Sequence, residues 1–478
     1  MSVWGTIYNN TRAALSTHMT TMAQLQEQVA SGARINRISD DPSDAHRILQ
    51  LRAQSESLGR YGENIEEVSR RLELGYNVLQ EMSDSLRSAL ESLEQSVSAT
   101  YNQDTRTILG QSFNETVEQM LSLVGTNSIG QYLFSGADTQ TQPYDTETDG
   151  EYITAVTYQG SLDDLSTSVA PGVEVPAALV AETLFRVDDR QEPEFLGETG
   201  VQAGSGTSSI RGDLYLDVTH KETNVVSDPD GVNLQISADP SGYDTILGIH
   251  SLEVDVTQNT IRFVDGPLTT FSGTETSLAV ANADGDVVYV DVTALNASLP
   301  GSATVEIQSD GYLSLGDGAA ATELTDFAAT NLAVFDDDGR VLYVDATGIE
   351  RTGLAPVQVP GTHDLFGTLI HTGQVLRNDR GLTDAAQKDL LANATEAVRQ
   401  VILSVTRGMT SIGARLESLD SLGTNLENIQ ASADDQANAL ENADLTQVAT
   451  DLARAQTLYE MTLASTAKLL SLSLLDYI

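Results

Sequence analysis

With no cysteine in the chain, the six histidines (His18, His46, His220, His250, His363 and His371) are the side chains best suited to hold a metal or relay a proton. No two of them stand at the helical ligand spacing of an HExxH motif, which places two imidazoles on one helix face. Scattered in this way, they read as surface residues rather than as a metal site or a triad. Asp336-Asp337-Asp338-Gly339 opens like a calcium loop, but the bidentate Glu that closes such a loop is missing. Arg211-Gly212-Asp213 spells an adhesion tripeptide, yet it runs straight into Leu214-Tyr215-Leu216 and reads as a turn entering a strand. No phosphate-binding GxxxxGK[ST] loop occurs, and paired carboxylates are abundant only because the chain is acidic. The reading is therefore of a non-enzyme, with no catalytic, cofactor-binding or metal-ligating residue and no cofactor.

Asp and Glu number 69 against 25 Lys and Arg, a formal charge of −44 that repels phosphate backbones and anionic lipid. Nucleic acid and membrane are thus excluded as partners. The first residues, Met1-Ser2-Val3-Trp4-Gly5-Thr6, lack the basic and apolar regions of a signal peptide, and no apolar run is long enough to span a bilayer. Any export has to use another route.

The elements that dominate the chain are helices with a seven-residue apolar repeat. One run is Leu51, Leu58, Ile65, Leu72, Leu79, Leu86 and Leu93; a second is Leu391, Val398, Val405, Ile412, Leu419 and Leu426. Such spacing marks helices built to lie along other helices, so these residues are expected to form the core of an antiparallel rod folded back on itself. Asp41-Pro42 starts the first long helix as cap and first-turn proline, and Thr383-Asp384 starts the second. Gly59, Gly62 and Gly75 weaken that first helix by about 1 kcal/mol each relative to Ala.

Two shorter amphipathic helices lie outside the rod. The first, Val3 to Ala30, carries Leu15, Met19, Met22 and Val29; the last, from Asp444, carries Leu445, Val448, Leu452, Tyr459 and Leu469. Neither has an obvious third partner within the chain, so these residues are expected to form an assembly interface with other subunits. A further helix is expected from Asp104 to Val124, with Ile108, Val117, Met120, Leu121 and Val124 as its apolar residues.

From Gln131 to about Gly373 the composition is β-branched and aromatic, broken by Asp-Gly and Pro-Gly turns. It contains a repeat: Leu278-Ala279-Val280 through Asp284-Gly285 to Asp291-Val292-Thr293 aligns without a gap on Leu332-Ala333-Val334 through Asp338-Gly339 to Asp345-Ala346-Thr347. Each copy reads as a β-hairpin, so two related β units are expected. The fold class is α+β, a helical coiled coil from both termini with a β-rich middle insertion.

Ser31-Gly32-Ala33-Arg34-Ile35-Asn36 followed by Ser39-Asp40-Asp41-Pro42-Ser43-Asp44-Ala45 resembles the segment joining the first two helices of the bacterial flagellin family. Gly130-Gln131-Tyr132-Leu133-Phe134-Ser135-Gly136 with Gln142-Pro143-Tyr144, and the ending Ser473-Leu474-Leu475-Asp476-Tyr477, are similar to the type in that family that joins hook to filament. The resemblance covers roughly residues 1–160 and 375–478. It implies a structural, extracellular flagellar protein exported unfolded by the flagellar type III apparatus. It implies self-assembly into a ring, with flagellin, another hook-associated protein and an export chaperone as partners. Residues 1–40 with 441–478 would form the assembly layer and 41–140 with 376–440 the rod layer. The insertion, 141–375, would face outward and divide near 250–270. The alternatives are a filament flagellin, or a surface adhesin or carbohydrate-binding module carried on a rod. The glycines of the long helix and the enlarged, acidic middle depart from the family pattern.

Overall fold

The computed structural model describes residues 3–97, 102–238, 243–316 and 321–475. Its helices are α1 (Val3–Ser31), α2 (Pro42–Ser96), α3 (Gln103–Val124), α4 (Ala181–Phe185), α5 (Leu365–Arg377), α6 (Asp384–Glu441) and α7 (Leu445–Leu475). The hairpins β1 (Tyr144–Asp149) with β2 (Tyr152–Tyr158) and β3 (Ser166–Ala170) with β4 (Val173–Pro176) precede the main β region. That region contains β5 (Gln202–Ala203), β6 (Gly212–Ser227), β7 (Gln235–Ile236), β8 (Gly248–Asp255), β9 (Thr260–Phe263), β10 (Leu278–Ala281), β11 (Val287–Asp291), β12 (Ser302–Leu315), β13 (Leu332–Phe335), β14 (Val341–Asp345) and β15 (Gly353–Val359). Strands of two or three residues complete the sheets. The terminal helices pack together, α1 with α7 and α2 with α6, and the middle is β-rich with several sheets.

The chain divides into two compact units. The first holds residues up to 73, 166–177 and those from 413 onward. Here Leu58, Ile65 and Leu72 of α2 are buried with Leu419 and Leu426 of α6, whereas Leu51 is half-buried. Asn64 Nδ2 donates to Ser168 O at 2.7 Å and fastens the β3–β4 hairpin to α2.

The second unit holds residues 74–165 and 178–412. Leu79, Leu86 and Leu93 of α2, with Leu391, Val398, Val405 and Ile412 of α6, are all buried in it. α2 runs unbroken through its glycines. Gly75 has a packing reason, because a Cβ there would lie 2.4 Å from Leu179 Cδ1; Gly62 has none, with nothing within 4 Å. Asn102 caps α3 through its Oδ1, which accepts from Thr105 N at 2.9 Å. The buried stripe of α3 is Arg106, Gly110, Phe113, Val117, Met120 and Val124, so Ile108 points outward and is 66% exposed. Gly110 sets that phase, since a Cβ there would meet Arg377 Cγ at 2.7 Å and Gly373 O at 3.0 Å. α5 lies where the sequence reads as β-rich. Leu365, Phe366, Leu369, Val375 and Leu376 are buried together with Thr368, His371 and Thr372, so this short helix is enclosed on its polar as well as its apolar side.

The two repeated hairpins are parts of a larger duplication. β10–β11 and β13–β14 have the same register, Val280 opposite Val288 and Val334 opposite Leu342. Each hairpin takes a third strand in the same place: β7 pairs Ile236 with Val290, and β5 pairs Ala203 with Val344. The match extends into the large sheet. Leu252 of β8 stands between Phe263 of β9 and Val305 of β12; Leu216 of β6 stands between Leu315 of β12 and Ala355 of β15. One copy is thus β7–β11 with the start of β12. The other is β5, the start of β6, the end of β12, and β13–β15. Each fills its own core, around Leu252, Val280 and Val290 in the first and Leu216, Val334 and Val344 in the second. The first copy is inserted inside the second, between β6 and the end of β12. The stretch 250–270, where the sequence suggests a boundary between successive units, runs through the β8–β9 hairpin of the inner copy. The gapless alignment covers only the hairpins and carries no trace of this nesting.

Candidate assembly surface

In the first unit both helical pairs change helix at one joint. Gly32 ends α1 at φ 72°, Ala443 N donates to Gly32 O at 2.9 Å, and Arg34 N donates to Glu441 O at 2.6 Å. The Arg34 guanidinium donates to Leu440 O from Nε at 3.2 Å and from Nη2 at 3.0 Å, so it caps that carbonyl in the last turn of α6. It also pairs with Asp44 and, at 3.6 Å, with Asp41. Asp41 caps α2 by accepting from Asp44 N at 3.1 Å and Ser43 N at 3.2 Å. The Asp44 N–H is the main cause holding its carboxylate below the ordinary range. Arg52 and Glu441 pair across the same joint. The segment that carries the flagellin resemblance is therefore a clasp between α1–α2 and α6–α7.

Beyond the clasp α1 packs on α7. The seam takes Leu15 and Met22 from α1 and Val448, Leu452, Ala455 and Tyr459 from α7, half-buried or buried. Met19 (54%) and Leu445 (52%) are exposed, as is Val29. The Leu469 side chain lies outside the described residues. Apolar residues that the sequence reading did not single out, Leu458, Met461 and Leu463, are exposed beside the same seam. Two paired helices that still expose this much large apolar side chain have further apolar surface to bury.

The second motif lies in the other unit. Leu133 and Phe134 are buried, and their carbonyls accept from Leu179 N at 3.2 Å and Ala181 N at 3.1 Å. Phe134 packs on Phe185 with ring centres 6.0 Å apart, and Tyr144 packs edge-on against Phe366 at 4.7 Å. Gly136 has φ 63°, and a Cβ on it would stand 2.1 Å from Ser161 O. This motif knits the exit of α3 to α4 and α5, so its role is packing within the unit.

The histidines do not all lie at the surface. His363 and His371 are buried, and His220 is half-buried beside Thr223, whose Oγ1 lies 2.9 Å from Nε2. Thr223 also bonds Asp244 and Ser309 (Oγ–Oγ 2.8 Å), a constellation with triad-like members, but Ser309 is fully buried and cannot meet a substrate. Among the described residues no group of three or more His, Asp or Glu is placed to hold a metal ion. The Asp336 turn closes on itself instead: Arg340 N donates to Asp336 Oδ1 at 2.7 Å and Arg340 Nε pairs with Asp336 at 3.0 Å. Gly212, at φ 67°, turns the Arg211-Gly212-Asp213 segment into β6.

Residues 5–139 match the family described as the bacterial flagellin N-terminal helical region. This part of the chain is a flagellin N-terminal domain. The chain aligns with flagellar hook-associated protein 3 of Salmonella typhimurium, 23% identical over 145 residues, which is 30% of this chain and 46% of that protein. The corresponding protein of Escherichia coli is 27% identical over 128 residues, 27% of this chain and 40% of that one. The chain thus spans less than half the length of the curated relatives it matches. Among solved structures, FlgL of Xanthomonas campestris covers 80% of this chain and 98% of its own at 17% identity and a TM-score of 0.42. The flagellar junction protein FlgL of Legionella pneumophila covers 82% and 100% at 15% identity and a TM-score of 0.39. Among the described residues no helix is long and apolar enough to cross a membrane.

Proposed function

We propose that this protein is a structural, non-enzymatic component of the bacterial flagellum that joins hook to filament, polymerising through α1 and α7. The observation that carries the reading is the α1–α7 pair with Met19, Val29, Leu445, Leu458 and Met461 left exposed. It stands beside a flagellin N-terminal domain and relatives named hook-associated protein 3. Burying those side chains against neighbouring copies would stabilise a ring by about 25 cal/mol for each Å² removed from water. Flagellin and another hook-associated protein are the partners on the two sides of that ring, with an export chaperone before assembly. The helices α2 and α6 act as the rod, and the β region faces outward.

Deleting the protein is expected to leave hooks in place and release unpolymerised flagellin into the medium. Intact filaments in the deletion strain would overturn the reading, and so would filament-long label in immuno-electron microscopy, which is the result for a filament subunit. Truncation after Asp444 is expected to give a folded protein that fails to enter the ring; a truncated chain that still assembles would remove α7 from the interface.

A further inference from the structure

We propose that Asp213, His363 and His371 form a buried, acid-sensitive latch that fastens strands β6 and β15 to helices α5 and α6 and opens when the cluster takes up protons. These strands are the two ends of the nested β region, paired where Asp213 stands opposite Gln358. A few residues past β15 the chain reaches His363 and the cap of α5, Asp364, whose Oδ1 accepts from Gly367 N at 2.7 Å. His363 Nδ1 lies 3.6 Å from Asp213 Oδ2, with side chains 2% and 9% exposed, and that nitrogen has no hydrogen-bond partner. His371 is 7% exposed, its ring 5.2 Å from that of Tyr215. A cavity of about 10 Å³ bounded by Asp213, Gln358, His371, Leu390 and Asn393 joins the two sides, with room for one water at most. Bulk solvent therefore cannot neutralise a charge placed here.

The other charged groups around the cluster are few. Asp364, the cap of α5, is solvent-exposed and has Glu182 at the start of α4 and Arg186 just beyond its end nearby; Arg380 and Asp379 lie near Tyr215. Burial raises the Asp213 carboxyl to about 7, and burial lowers both His363 and His371 to about 4. Midway between pH 6.5 and 4 the folded cluster then holds close to one proton, on Asp213. The opened cluster holds two, one on each imidazole, and none on the carboxylate above its ordinary pKa of 3.8. Opening takes up one proton net, so the opening equilibrium constant rises about tenfold for each unit the pH falls in that window. Near pH 7 and above, the order reverses: the folded carboxyl loses the proton it favours.

The variants give signed outcomes. Asp213→Asn leaves the opened state two protons ahead, so opening rises about hundredfold per pH unit; His363→Gln leaves the states equal and removes the dependence. The experiment is amide hydrogen exchange of the full chain at the start of β6 and along α5, from pH 6.5 to 4.5, with intrinsic exchange rates divided out. Each variant's slope is read against the wild type, so carboxylates elsewhere cancel. Imidazole titration of the wild type by NMR accompanies it, with midpoints for His363 and His371 expected well below 6.5. A His363→Gln slope equal to the wild-type slope would overturn the proposal. Imidazole midpoints at or above 6.5 would do the same, and they decide the matter alone if a variant fails to fold.

Discussion

Arg106 of α3 donates from Nη1 to Gln387 Oε1 of α6 at 2.8 Å, and both side chains are buried. The bond fixes which end of the Gln387 amide faces which way, because a guanidinium can only donate. The Nε2 end then donates to Val375 O at 2.8 Å and Leu376 O at 3.3 Å, the last carbonyls of α5. Gln103 Nε2 supplies the next donor, to Leu376 O at 3.1 Å and Arg377 O at 3.0 Å. Three helices thus meet at one capped terminus.

Gln387→Ala strips the acceptor from a buried guanidinium and the donor from α5 together. It is expected to cost about 3 kcal/mol or more, whereas Arg106→Met, which removes the charge itself, should cost less. Urea unfolding followed by hydrogen exchange in α5 measures both. Equal losses would mean that the guanidinium is not what makes the amide matter.

Two glycines separate packing from helix propensity. Gly136→Ala needs a Cβ at φ 63° against Ser161 O and is expected to destabilise by at least about 2 kcal/mol. Gly62→Ala meets nothing within 4 Å on a helix and should stabilise by about 1 kcal/mol. Thermal melts of the two variants should move in opposite directions.

If the two β copies have independent cores, Val290→Ala and Val344→Ala remove equivalent methyls from different interiors. Each is expected to cost about 2 kcal/mol. The double variant should equal their sum within about 0.5 kcal/mol by denaturant unfolding, and a larger coupling would argue for one shared core.

The clasp makes a local prediction. Arg34→Met removes a cap from Leu440 O and an ion pair with Asp44 that is partly solvent-screened. Exchange at residues 32–34 and 441–443 should quicken several-fold, while Leu58 of α2 and Leu426 of α6 keep their protection.

Of the seven-spaced residues, Leu58, Leu86, Val398 and Leu419 are buried, while Leu51 at the start of the first run is half-buried. The phase of α3 was not legible in the sequence, since its buried stripe includes Arg106 and Gly110, whose places come from Gln387 and from the approach of α5. α5 itself is short, and its buried residues include Thr368, His371 and Thr372, which a search for apolar spacing passes over. The buried pair His363 and Asp213 left no local signal either, because β6 and α5 bring them together across a long separation in sequence. At the terminal helices the composition showed the apolar residues, but which of them face the seam and which face outward depends on how α1 lies on α7.

The nesting of one β copy inside the other has a kinetic side. All strands of the inner copy are contiguous in the chain, so its pairings close short loops. The outer copy must bring β6 back to the end of β12 across the whole inserted copy, a loop closure whose entropy cost grows with length. Once the inner copy is complete, Ser227 is paired opposite Glu306 and that long loop has been reduced to two adjacent strands. During folding the inner copy is expected to close first and to act as the template on which the outer copy finds its register.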